Sequence, residues 1–287
     1  MPAPVATVAF DGAMLAIADA EGSVQMLKVG SADEPQQVLV GTNTLEPRET
    51  LTHLWLRGDR LARLYAGPPK LGMPFGVDRA VLSQLPARAE TEIALQGAGA
   101  CGELLTADGL TVLAHSAPPR LWRLSRDGAR VLSSLDLPLD KAFCFAESRS
   151  FEAVTGMKNG RSVVAIHASN VWHTIEIANG QACLSVAVND DGVAVGYPAA
   201  ALVSGARDEC NAGVVLLITM GTGKPKVVAR IIGADHEKLG LFGRALAMTA
   251  DTLFIGSAGS SWWMNQEGPG PQVYSYPLTG LLSRAAH

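Results

Sequence analysis

Leu241–Tyr276 reads LFGRALAMTADTLFIGSAGSSWWMNQEGPGPQVYSY. Two short apolar runs, ALAMTA and DTLFIGS, meet at a tight acidic turn centred on Asp251. A Gly-rich loop follows, and PQVYSYPL supplies a third strand. Working outward, the pair strand–turn–strand recurs five times upstream. It occurs as VATVAF with AMLAIAD, LTHLWLR with RLARLYA, GELLTA with LTVLAHS, AFCFAE with FEAVTG, and LSVAVN with GVAVGYP. The turns centre on Gly12, Asp59, Asp108, Arg149, Asp191 and Asp251, about 48 residues apart on average.

Each pair is followed by further strand-like runs. These are SVQMLKV and QQVLVGT, DRAVLSQL and TEIALQ, and RLWRLS and RVLSSLDL, the last two joined by the hairpin signal Arg126-Asp127-Gly128. Then come RSVVAIHA and VWHTIEIA, GVVLLITM and KVVARIIG, and finally PQVYSYPL with GLLSRAA as a possible closing strand. Most are continuous apolar or alternating runs rich in Val, Leu and Ile, the pattern of sheets covered on both faces. The second unit is the least regular, because Arg60, Arg63 and the Pro-rich stretch Gly67–Pro74 interrupt it. One four-stranded sheet cannot hide two apolar faces alone, whereas radial stacking of neighbours covers both. An open array of as many strands leaves long unpaired edges. The expected fold is therefore all-β: a six-bladed β-propeller with four-stranded antiparallel blades in a single domain, 1–287. Its blades fall at about 1–45, 46–98, 99–139, 140–180, 181–235 and 236–287.

Composition narrows the function classes. Of 287 residues, 48% are hydrophobic and only 17% charged, with 30 Gly and 16 Pro, which suits many short strands joined by turns. The formal charge of −4 is small and mixed in sign, so no nucleic-acid partner is expected. No apolar run reaches the roughly 20 residues of a membrane-spanning helix. MPAPVATVAFDG has neither a basic start nor a long apolar stretch, which favours the cytoplasm; export with the leader removed is the alternative. Cys101, Cys144, Cys183 and Cys210 form no CxxC pair, and Cys144 and Cys183 read as small buried hydrophobes in strands. Cys210, in RDECNAG, is the cysteine expected to be exposed.

Phe242-Gly243-Arg244-Ala245-Leu246-Ala247-Met248, followed by Asp251–Ala258 and Val273-Tyr274-Ser275-Tyr276, resembles an FG-GAP repeat. Ser185–Val188, Asp191–Pro198 and Ala212–Val215 resemble another. The likeness is clearest over 183–220 and 241–277, and such repeats build the propellers of integrin α-chains and many bacterial proteins. It implies the same fold here and pulls towards export. Calcium-binding members of that family carry several carboxylates at alternate positions in the turn, because calcium takes 6–8 oxygen ligands. Asn189-Asp190-Asp191-Gly192 is too short to wrap an ion, and Asp251 stands alone in the sixth unit. Tight hairpin turns capped by their own side chains are expected instead, with no metal and no cofactor.

In a propeller with strands A to D from the axis outward, B–C and D–A connections share one face, and A–B and C–D turns the other. The long connections here are the B–C loops Ala66–Asp78, Ala199–Ala212 and Gly259–Gly270 and the D–A loops Gly41–Thr50 and Gly233–Gly243. Long loops in a compact domain are usually functional or disordered. The face that carries them is the expected binding face. Trp262, Trp263 and Met264 suit a protein partner or a sugar ring, or else fold back over the blade as a plug. His236 and Glu237, within Asp235-His236-Glu237-Lys238, offer acid/base or ligating groups or simply a solvated loop, and Arg207-Asp208-Glu209 reads the same way. His53, His115 and His167 take strand positions and read first as core or surface histidines; His173 lies in an outer strand. Gly221-Thr222-Gly223-Lys224-Pro225 lacks the spacing of a phosphate-binding loop and reads as a hairpin turn. GxSxG, HExxH and GxGxxG are absent, so no catalytic residue is assigned. The favoured function is a non-enzymatic module that binds another protein. The alternatives are a hydrolase or lyase at the channel mouth, using groups such as His53 or Glu103, and a carbohydrate-binding lectin using the tryptophan loop.

Overall fold

A computed structural model describes residues 5–10, 14–19, 23–28, 37–42, 50–57, 60–66, 77–84, 89–94, 103–105, 110–114, 118–125, 130–177, 185–198, 202–204, 207–209, 213–220, 224–233, 241–257 and 272–279. Within them the chain is all-β and every strand pairing is antiparallel. It divides into two compact units, Met1–Ser116 with Arg120–Asp136, and Ala117–Pro119 with Leu137–His287.

The first unit holds three four-stranded sheets. Sheet 1 is β1 (Val5–Phe10), β2 (Met14–Asp19), β3 (Ser23–Lys28) and β4 (Gln37–Thr42). Sheet 2 is β5 (Thr50–Arg57), β6 (Arg60–Ala66), β7 (Val77–Gln84) and β8 (Ala89–Ala94). Sheet 3 is β9 (Glu103–Leu105), β10 (Leu110–Ala114), β11 (Arg120–Leu124) and β12 (Val131–Asp136). In all three, spatial order follows chain order, as short hairpin connections demand.

Arg60 and Arg63, which break the sequence pattern, sit inside the regular strand β6. Leu61, Arg63 and Tyr65 alternate onto one face, where Leu61 and Tyr65 pack with Ala16, Ala18, Val24 and Met26 of sheet 1. Arg63 is wholly buried. Its Nη2 donates to Ser83 Oγ at 3.0 Å and to Glu90 Oε1 at 2.5 Å. The charge is tolerated in the core because a carboxylate two strands away meets it. Arg79 lies over the Tyr65 ring, 4.4 Å from its centroid, and reaches Glu92 at 3.3 Å.

The second unit holds sheet 4, made of β13 (Lys141–Glu147), β14 (Glu152–Lys158), β15 (Arg161–Ala168) and β16 (Val171–Glu176). Sheet 5 is β17 (Ser185–Val188), β18 (Val193–Tyr197), β21 (Val214–Met220) and β22 (Pro225–Ile232). Between β18 and β21 a separate two-stranded hairpin, β19 (Leu202–Ser204) and β20 (Arg207–Glu209), leaves the sheet. The sequence reading of Ala199–Ala212 as plain loop missed it; LVS and RDE are too short for any periodicity to register. Sheet 6 is β23 (Ala245–Met248), β24 (Thr252–Ser257) and β25 (Gln272–Pro277). The closing run 280–286 lies outside the described residues.

Sheet 5 is covered on both faces, as its unbroken apolar runs require. All five residues of β18 are buried. Val193, Val195, Tyr197 and Ile218 pack against Ala153, Val164 and Ile166 of sheet 4. Ala194, Val215 and Leu217 face the other way, against Leu253 and Ile255 of sheet 6. The fourth strands are wetter than their apolar content suggests. Val131, Leu132, Val171 and Val227 are exposed at the outer rims of their sheets, where little remains to cover them. Cys144 is half-buried on β13, and the other three cysteines lie outside the described residues.

The Arg63–Glu90 pair yields a stability test. Glu90→Ala leaves a buried guanidinium with only Ser83, which should lower unfolding stability by about 2–3 kcal/mol in urea titrations. That is below the usual loss of about 3–5 kcal/mol for a half-broken buried pair, because Glu90 is one-third exposed. Arg63→Met with Glu90→Leu should restore most of the loss.

Candidate functional site

The loop-bearing end of the second unit is organised by one dipeptide. Leu241 and Gly243 both take left-handed backbone angles, φ +50° and +85°, which turns Phe242 inward between sheets 5 and 6. Phe242 is buried and meets Tyr274 edge-on, with ring centroids 5.4 Å apart. Gly243 N–H donates to Gly256 O at 3.0 Å. Gly243 O accepts from the buried Ser185 hydroxyl at 2.6 Å.

Glycines permit this approach. A Cβ at Gly196 would overlap the Gly243 carbonyl oxygen, and one at Gly213 would overlap that of Phe242. A Cβ at Gly233 would lie 3.1 Å from the Phe242 ring. These positions are the roots of three long connections. Gly196 and Gly213 flank 199–212, Gly233 and Phe242 flank 234–240, and Gly256 pairs with Val273 across 258–271. Loops far apart in sequence thus spring from one fastening point.

Every candidate residue for partner binding belongs to one of those connections. Arg207 opens β20, opposite Ser204, so it stands on a hairpin strand and not in a plain loop. His236, Glu237, Trp262, Trp263 and Met264 lie outside the described residues. His53 and Glu103 occupy strand positions on β5 and β9, with side chains outside the described set, and His115 lies outside it altogether. His167 Nδ1 is 3.0 Å from Glu152 Oε2, and its ring lies 4.9 Å from that of Trp172. His173 is half-buried on β16. Ser185, Phe242 and Gly243 drew no functional assignment from the sequence. The available signal was the Phe-Gly start of the sixth repeat together with Gly196 of the fifth.

The opposite end carries tight turns that hydrogen-bond to themselves and to one another. Ser148 Oγ accepts from Ser150 and Phe151 N–H at 3.2 and 3.1 Å. Asn189 Oδ1 accepts from Asp191 and Gly192 N–H at 3.0 and 2.9 Å, the side-chain-capped turn expected there. Asp190 Oδ1 accepts from Arg149 N–H at 3.1 Å, and Asn189 Nδ2 donates to Thr249 O at 2.9 Å. The A–B turns of sheets 4, 5 and 6 are therefore laced in sequence. The Asp251 carboxylate accepts from the Thr249 and Thr252 hydroxyls at 2.8 and 3.0 Å, which holds its pKa below the ordinary 3.8. Among the described residues no three or more His, Cys, Asp or Glu side chains are grouped to hold a metal, and no helix is long and apolar enough to cross a membrane.

Two outcomes are expected. Gly243→Ala should lose about 2–4 kcal/mol of stability, because a side chain is strained at this φ and its Cβ would press on Val215 Cγ2 at 2.8 Å; calorimetry checks this. Asp251 should titrate by NMR with a midpoint below 3.8. A depressed folded pKa contributes stability above the unfolded value and loses it as pH falls through the folded one. Asp251→Asn should therefore remove only the part of the acid loss lying below about pH 4.

No protein-family model matches the chain, and no curated protein matches it. Solved structures do. KlAtg21, in its complex with the coiled-coil of AgAtg16, is similar with a TM-score of 0.65 at 7% identity, over 96% of this chain and 81% of that one. A chain of the nidogen/laminin complex is similar with a TM-score of 0.52 at 11% identity, over 82% of each. At such identities the likeness is one of fold, and both neighbours are β-propellers. The chain is an all-β protein of antiparallel sheets with β-propeller relatives in structure.

Proposed function

We propose that residues 1–287 form one six-bladed β-propeller of four-stranded blades, and that it is a non-enzymatic module holding another protein on its long-loop face. The observation that carries the binding face is the common root of three long connections at Phe242–Gly243, against tight, laced turns at the other end. A scaffold that fixes loop bases while leaving the loops free to vary is how rigid folds present binding residues. Trp262 and Trp263 are the proposed anchors, and Met264, His236, Glu237 and Arg207 are the further residues proposed to bind. Adjacent aromatic residues supply large contact area at low entropic cost. The complexes in which the two structural neighbours were solved support a protein partner.

Radial stacking has its own support. Sheet 6 buries Leu253, Ile255 and Tyr274 against sheet 5 and turns a second, uncharged face outward. That face carries Ala245, Ala247, Phe254, Val273 and Ser275, in register across its three strands. A terminal sheet meant for water would carry charge there.

The test uses the full tagged chain and Trp262→Ala with Trp263→Ala, each recovered from the native host with bound proteins identified by mass. A protein that co-purifies with the parent and is lost from the variant, at unchanged melting temperature, is the expected result. Equal recovery by both chains would rule out this face. Binding of free glycans in place of any protein would transfer the site to a lectin.

A further inference from the structure

We infer that Ser185, Phe242 and Gly243 are positioning residues that couple the three loop roots of the second unit into one cooperative element. The inference deepens the proposed binding face and rests on that reading for its functional meaning. The coupling itself rests on contacts among described residues. The Ser185 hydroxyl is buried and reaches the Gly243 carbonyl across 58 positions of chain, which fastens the first strand of sheet 5 to the segment entering sheet 6. The Gly243 peptide also donates to Gly256, the root of the tryptophan loop. Phe242 touches the other two roots: its backbone lies against Gly213 and its ring against Gly233. The roots lie so close to that dipeptide that a Cβ added at Gly196, Gly213 or Gly233 would run into it, so a shift of any one presses on the same two residues.

A buried hydrogen bond that is removed, leaving a carbonyl without its donor, weakens every contact that depended on the carbonyl's placement. Local opening in proteins proceeds in cooperative units of this kind. The three roots should therefore open and close together. A contact that steadies any one root would steady the rest, which gives a surface built on them a sharper response than three independent roots have.

Hydrogen exchange on the full chain tests the coupling without a partner. Ser185→Ala should accelerate exchange at the amides of Gly196, Gly213, Gly233, Gly243 and Gly256 together, by up to about tenfold. Amides of β14 and β15 should stay within about twofold of the parent. Ser148→Ala, which alters a turn at the opposite end, should leave all five glycine amides unchanged. Phe242→Leu, keeping bulk but not ring shape, should reproduce the Ser185→Ala pattern and serves if that variant does not fold. Acceleration confined to Ser185, Gly196 and Gly243 overturns the coupling, as does acceleration spread equally into sheet 4. Neither outcome bears on whether Trp262 and Trp263 hold a partner, so the two readings fail separately.

Discussion

A strand whose every residue is apolar needs a dry surface on both sides, and β18 sets that requirement for the second unit. Val193, Val195 and Tyr197 point one way and Ala194 the other, so no placement of sheet 5 at a surface satisfies them. Sheets 4 and 6 supply the two covers. Ser185 and Thr155 are polar groups admitted to these sheets with a backbone partner to meet each.

Much of this was legible in the residues. The hairpins of sheets 1 to 5 follow from alternating or continuous apolar runs broken by short turn signals such as Asp11-Gly12, Gly58-Asp59, Asp108-Gly109, Ser148-Arg149-Ser150 and Asn189-Asp190-Asp191-Gly192, and each run became a strand in its expected sheet. What resisted reading was whatever depends on a distant partner. Arg63 looks like an interruption because its carboxylate, Glu90, is two strands away; only the folded register brings them within 2.5 Å. The β19–β20 hairpin is too brief for a periodic signal. The wet outer strands have the composition of buried ones, since Val131 and Leu132 differ from core residues only in what lies beside them.

The long connections were legible as lengths of chain, and the way their roots meet was not. Loop length singled out the connections, and residue type singled out the tryptophans. Nothing in spacing or composition disclosed that the roots meet. That junction depends on glycines used as gaps: Gly196 and Gly213 matter for the atoms they lack, and a one-dimensional reading sees two more turn residues. The Phe-Gly pair of the sixth repeat was visible as a motif, while its partner Ser185, 58 positions earlier, carried no mark.

Spatial order matches chain order in every four-stranded sheet of the first unit, and in sheet 4 of the second. Each such ladder can be completed from strands already synthesised, without waiting for a distant segment of chain. Contacts of this local kind favour rapid assembly. The cost falls on the faces, since a finished sheet exposes one apolar side until its successor arrives. Within each unit, emergence from the ribosome is therefore a series of sticky intermediates, each capped by the next, and the interval between consecutive sheets is when a nascent chain of this design is most exposed to aggregation.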